Sequence, residues 1–216
     1  PIEIIFVPVG CADEGKKTLH SNFFVDCRDA AADLIVLPEN LKRGVMIYTG
    51  SGEDYIETSP YTSYDPGPGA SGGSFIHSVS SGPGNDIVYQ KTSDTHNIFT
   101  QAGDDLIFDS GGLTHFGGDT GGSGSDLILY LGDKGEGDYS GAALYGDKNG
   151  FDTNDKGRDG DDIIIGYFKK SSSSDIGQII SDDKGDDIVL VASGSSEIEV
   201  GEGNDIIFVG TASSAN

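Results

Sequence analysis

A short motif of glycine, an acid and two apolar residues returns along this chain, and no other feature limits its fold so much. Gly82-Pro83-Gly84-Asn85-Asp86-Ile87-Val88-Tyr89 is echoed by Gly103-Asp104-Asp105-Leu106-Ile107-Phe108 and by the run from Gly121 to Leu129. It recurs at Gly160-Asp161-Asp162-Ile163-Ile164-Ile165, at Gly185-Asp186-Asp187-Ile188-Val189-Leu190 and at Gly201-Glu202-Gly203-Asn204-Asp205-Ile206-Ile207-Phe208. The aspartates at 86, 105, 126, 162, 187 and 205 are 19, 21, 36, 25 and 18 residues apart, near one or two units of about 18 with insertions. A weaker copy precedes them, from Gly50 to Ile56. Shorter apolar segments lie half a unit away: Asn97 to Phe99, Thr114 to Phe116, Ile176 to Ile180 and Glu197 to Val200. Glycine turns alternating with short β-branched and aromatic runs indicate strands, and two strands per unit stacked on themselves make a parallel β-roll or β-helix.

The motif resembles the RTX family of calcium-binding nonapeptides, G-G-x-G-x-D-x-U-x with U a large apolar residue. Gly121 to Leu129 matches every fixed position, whereas Gln101, Arg158 and Asp183 stand where other copies should open with glycine. The resemblance covers about residues 82 to 209. It implies a secreted module, at the cell surface or outside it, that folds on binding several calcium ions.

The residue types also have a direct physical reading. Glycine permits positive φ and leaves its carbonyl open, and an acid two residues later offers a hard oxygen to the same point. The expected ligands are therefore Gly84 with Asp86, Gly103 with Asp105, Gly124 with Asp126, Gly160 with Asp162, Gly185 with Asp187, and Gly203 with Asp205. Calcium takes six to eight oxygens, so ions are expected between coils. The alternative is that these aspartates cap turns as Asx motifs. Asp outnumbers Glu 27 to 9 and the net charge is −23, so cations are the natural counter-partners, and nucleic acid and anionic membrane surfaces are poor ones.

In a strand, alternate residues face opposite sides, so each Asp and the apolar residue two later point inward. The outward positions are Ile87 and Tyr89, Leu106 and Phe108, Leu127 and Leu129, Ile163 and Ile165, Ile188 and Leu190, Ile206 and Phe208. All are apolar or aromatic, which predicts a sheet face covered by the N-terminal region, a second copy or another protein, unless both sides of the sheet are internal.

Residues 1–80 are expected to form an irregular β cap or degenerate coils, with strands at Ile2 to Val9, Asn22 to Val25, Asp33 to Leu37 and Gly44 to Tyr48 and a linker at Tyr61 to Gly73. Residues 81–210 form the solenoid and 211–216 a tail. No apolar run is long enough for a transmembrane helix. The N-terminal Pro1, with no basic and apolar leader before it, suggests a mature product or excised fragment. Cys11 and Cys27 are either a disulfide or two buried thiols.

Enzymatic readings are weak. Gly69-Ala70-Ser71-Gly72-Gly73 matches a nucleophile elbow, and Gly67, Gly69 and Gly72 a dinucleotide fingerprint, without the strand and helix that either chemistry needs. Asp147 to Gly157 has a fragment of EF-hand spacing, but Lys156 occupies a ligand position and Ile163 the place of the closing Glu. His20, His77, His96 and His115 stand apart. The expectation is a structural or interaction module and no enzyme. A secreted hydrolase or lyase, or an ice- or surface-binding adhesin, is the alternative.

Overall fold

A computed structural model describes residues 12–13, 23–29, 32–37, 45–58, 77–91, 96–109, 118–132, 143–146, 160–168, 176–192 and 195–210. Cys11, His20, His115, the Asp147 to Gly157 cluster, the Gly69 to Gly73 match, the proposed linker and the expected strand at Ile2 to Val9 lie outside these residues.

The described residues contain strands and no helix, in chain order β1 (Ala12–Asp13), β2 (Phe23–Asp29), β3 (Leu34–Val36), β4 (Val45–Gly50), β5 (Tyr55–Glu57), β6 (His77–Ser80), β7 (Ile87–Gln90), β8 (His96–Ala102) and β9 (Leu106–Asp109). They continue as β10 (Gly118–Ser123), β11 (Leu127–Gly132), β12 (Ala143–Tyr145), β13 (Ile163–Phe168), β14 (Ile176–Lys184), β15 (Ile188–Ala192), β16 (Ser195–Glu202) and β17 (Ile206–Gly210). From β2 onward, even-numbered strands stack in one parallel sheet and odd-numbered strands in another, while β1 lies antiparallel on β2. The chain is thus an all-β solenoid, as the repeat implied. Strands β2 to β6 belong to the same two sheets as the later coils.

Register follows the repeat. Ile35, Ile56, Val88, Ile107, Ile128, Ile164 and Val189 are aligned strand to strand and form one fully buried column. Val25, Ile47, Val79, Ile98 and Leu144 meet them from the other sheet. Each column residue sits two positions after an acid, so the period of two that sends the apolar residue inward sends the acid inward too.

The glycines are required chiefly by how closely the coils approach. A Cβ on Gly103 would stand 2.0 Å from the carbonyl oxygen of Gly84, and one on Gly124 would stand 2.0 Å from that of Gly103. Gly185 and Gly203 meet the same obstacle at 1.7 Å. Gly103 also has φ of 135°, which only glycine adopts without strain. Gln101, in the opening position where the nonapeptide pattern has glycine, keeps a positive φ of 77°. That conformation costs a side-chain-bearing residue about 1–2 kcal/mol.

Two substitutions should therefore move stability in opposite directions. Gly103→Ala should lower the unfolding free energy by on the order of 3 kcal/mol, since both backbone conformation and coil spacing oppose a Cβ. Gln101→Gly should be neutral or stabilising by up to about 1 kcal/mol. Denaturant unfolding followed by circular dichroism reads both, and an unchanged midpoint for Gly103→Ala would contradict the stacking argument.

Candidate metal centre and docking face

The six predicted aspartates are brought into a single column at the mouths of the eight-stranded sheet's strands, and two unpredicted ones extend it. All but Asp33, the first, use Oδ1 to accept the backbone N–H of the acid one coil earlier. Asp86 N–H donates to Asp105 Oδ1 at 2.8 Å, Asp105 to Asp126 at 2.8 Å, Asp126 to Asp162 at 2.9 Å and Asp162 to Asp187 at 2.9 Å. Asp187 donates to Asp205 at 3.1 Å. At the start, Asp33 donates to Asp54 and Asp54 to Asp86. Asp33 escapes the sequence pattern because it has no glycine before it, and only the short Asp33-Leu34-Ile35 run marks it. The acid's own carbonyl accepts from the first strand residue of the next coil, as Leu106 N–H to Asp86 O at 2.8 Å shows.

A second ladder runs one residue earlier on the exposed side of the same turn, with opposite polarity. Asn85 Oδ1 accepts the N–H of Asp104, Asp104 Oδ1 that of Ser125, Asp161 Oδ1 that of Asp186, and Asp186 Oδ1 that of Asn204. At Asp104–Asp105, Ser125–Asp126 and Asp186–Asp187 two successive N–H groups are thus capped by side chains from the coils on either side. These side chains therefore cap turn N–H groups, but across coils and not as local Asx motifs.

Capping accounts for one oxygen of Asp54, Asp86 and Asp105. Oδ2 of Asp54, Asp86 and Asp105 is buried with no hydrogen bond of normal geometry. A buried carboxylate loses several kcal/mol of hydration, whereas a hydrogen bond to a charged group returns about 1.5–3 kcal/mol. Desolvation accordingly prevails. Burial raises Asp105 from 3.8 to about 7, opposed by the Thr100 hydroxyl and the Asp86 N–H and assisted by the charges of Asp86 and Asp104. Burial likewise raises Asp86 to about 6, opposed by Ser81 and by the Asp54 N–H, with the charge of Asp54 raising it further.

One feature suits a hard cation: Oδ2 of Asp54, Asp86 and Asp105 is buried without a hydrogen-bond partner, whereas Oδ1 of Asp187 and Asp205 is already taken by the N–H of Asp162 and Asp187. Among the described residues no group of three acidic, histidine or cysteine side chains converges on one point, so any ion would draw mainly on backbone oxygens.

The outward positions are as apolar in space as in sequence. Ile87, Leu127 and Ile163 are 40%, 36% and 38% exposed. Tyr89, Leu106, Phe108, Leu129, Ile165, Ile188 and Leu190 are half-buried by one another, with the Tyr89 and Phe108 rings edge-to-face at 5.1 Å. Ile206 and Phe208 continue the face on the last coil. The sheet is therefore not internal on both sides. Glu57 interrupts the face and is neutralised there by Lys91, which also lies over the Tyr89 ring, and by the Tyr55 hydroxyl at 3.0 Å. The other sheet presents polar side chains, including exposed Glu197 and Glu199.

Cys27 is disulfide-bonded, which resolves the choice between bonded and free thiols. No helix among the described residues is long and apolar enough to cross a membrane. No family model, curated protein or solved structure matches the chain.

The carboxyl shifts give a pH dependence of definite sign. Asp86 and Asp105 hold protons in the folded state at pH values where the unfolded chain has released them, so their contribution is full below about pH 4 and is lost as pH rises through 6 to 7. In metal-free buffer the urea midpoint should fall between pH 5 and 8, and Asp105→Asn, which retains an acceptor oxygen but cannot ionise, should flatten that fall. Parallel curves for the two proteins would refute the assignment.

Proposed function

We propose that this chain is a structural and interaction module, not an enzyme, which docks on protein through the outer face of its eight-stranded sheet and is stabilised by calcium along its acidic turns. The observation that carries this reading is the run of exposed and half-buried apolar residues, coil after coil, on one flat face. Soluble proteins seldom leave a contiguous apolar patch of more than a few hundred Å² in water unless it binds something.

Calcium is supported by two features: the buried Oδ2 atoms of Asp54, Asp86 and Asp105 that lack a hydrogen-bond partner, and the net charge of −23. The residues that would hold it are Gly84, Gly103, Gly124, Gly160, Gly185 and Gly203 through their carbonyls, with Asp86, Asp105, Asp126, Asp162, Asp187 and Asp205. An ion at these turns would keep the carboxylates ionised without the cost of an unpaired buried charge. The resemblance to RTX repeats points the same way. A disulfide at Cys27 favours an oxidising setting, consistent with export to the cell surface or beyond.

Calcium titration of chelator-stripped protein tests the metal half of this reading. Binding at about 10⁻⁴ to 10⁻³ M, the range of extracellular modules, should stabilise by about 2.7 kcal/mol per site at a hundredfold excess over Kd. It should also abolish the loss of stability above pH 6. An unfolding midpoint indifferent to calcium would leave the aspartates as turn caps and remove calcium from the account.

A further inference from the structure

A disulfide ties the first coil of the solenoid to the antiparallel strand beside it. Cys27 is disulfide-bonded and the chain contains two cysteines, so its partner is Cys11, the residue that precedes β1. β1 lies antiparallel on β2 with Ala12 opposite Asp26 and Asp13 opposite Val25, and the same register sets position 11 opposite Cys27. Directly opposed positions of an antiparallel pair stand about 4.5–5.5 Å apart at Cα, which is the separation a disulfide spans, so the bond and the register agree. Cys27 is 2% exposed and belongs to the same apolar cluster as Val25, Ile35 and Ile47.

The two ends of the stack differ. Ile35, in the first coil, is 1% exposed, whereas Ile207, which continues its column in the last described coil, is 44% exposed. At the head, β1 takes the outer edge of β2, and among the described residues two residue pairs hold it there. We propose that the Cys11–Cys27 bond is a redox-operated clasp on the head of the solenoid. Oxidised, it keeps β1 on the edge of β2 and the first coil closed. Reduced, β1 leaves, and the head becomes an unpaired sheet edge open to an added strand. The reductant is a dithiol. One of its thiolates attacks a cystine sulfur, the S–S bond breaks as a mixed disulfide forms, and the second thiolate then displaces the remaining cysteine. Two electrons and two protons thus pass from the dithiol to Cys11 and Cys27, and the dithiol departs as its own disulfide. Each coil of a solenoid touches only its neighbours, so opening at the head stays local. A passage from oxidising to reducing surroundings operates the clasp.

The test compares hydrogen exchange of the full chain, read by mass spectrometry, before and after reduction with dithiothreitol in the absence of denaturant. Digestion of the oxidised protein should yield a peptide pair joined through Cys11 and Cys27, and alkylation after reduction should label both cysteines. Amides of β2 and β3 should then exchange at least about tenfold faster, while those of β13 and β15 keep their rates and reoxidation restores the first set. Cys11→Ser, which leaves Cys27 in place, should exchange like the reduced wild type and ignore dithiothreitol. Absence of the joined peptide, or a native protein that dithiothreitol fails to reduce, would overturn the clasp. Unchanged exchange of β2 in the reduced protein would show that β1 holds without the bond, and would overturn it as well. Lost protection in β13 and β15 would make the bond a brace for the whole fold, contrary to the local opening proposed. If Cys11→Ser does not fold, the reduced wild type alone decides.

Discussion

Every coil of this solenoid depends on one interaction, a buried aspartate whose Oδ1 accepts the backbone N–H of the aspartate one coil before it. That hydrogen bond sets the vertical register at the strand mouth, where the pleated ladders have not yet begun. Once it is in place, the residue two positions later must fall in the apolar column and the residues between must face outward. The glycines follow from the same constraint. Coils held this closely at the turn put one glycine's carbonyl where the next glycine's side chain would be, at Gly185 and Gly203 as well as at Gly103 and Gly124.

The arrangement also creates an electrostatic problem. Carboxylates one coil apart, each with at most one oxygen tied to a neighbouring N–H, are buried in a chain that already carries 23 negative charges in excess. Burial moves Asp105 and Asp86 toward neutrality. A cation is the other response available, and it would act in the opposite direction on the same groups. Proton and cation are thus competing ligands for one column of oxygens, which ties the solenoid's stability to both pH and metal.

Much of this was legible in the sequence because the repeat and the period of two decide it together. Asp86, Ile87, Val88 and Tyr89 already assign acid inward, apolar outward, apolar inward and aromatic outward, and the space they occupy agrees. Two things were not legible. Asp33 and Asp54 belong to the same column, yet Asp33 has no glycine and Asp54 follows Glu53 in a degraded copy, so motif matching undervalues them. The pattern also could not tell a turn cap from a metal ligand, because both uses need the same short carboxylate beside the same open carbonyl. Only the structure shows that Asp86 Oδ1 accepts the Asp54 N–H while Oδ2 is left without a partner.

The most direct measurement is a residue-resolved carboxyl titration of Asp86 and Asp105 by carbon-13 NMR on the full chain, first stripped with chelator and then saturated with calcium. The account predicts midpoints near 6 and 7 without metal, matching the burial of the two groups, and a fall below the ordinary value of about 3.9 when calcium is present. Ordinary midpoints near 3.9 in both samples would contradict it, since the carboxylates would then be neither desolvated in the solenoid nor engaged by the ion.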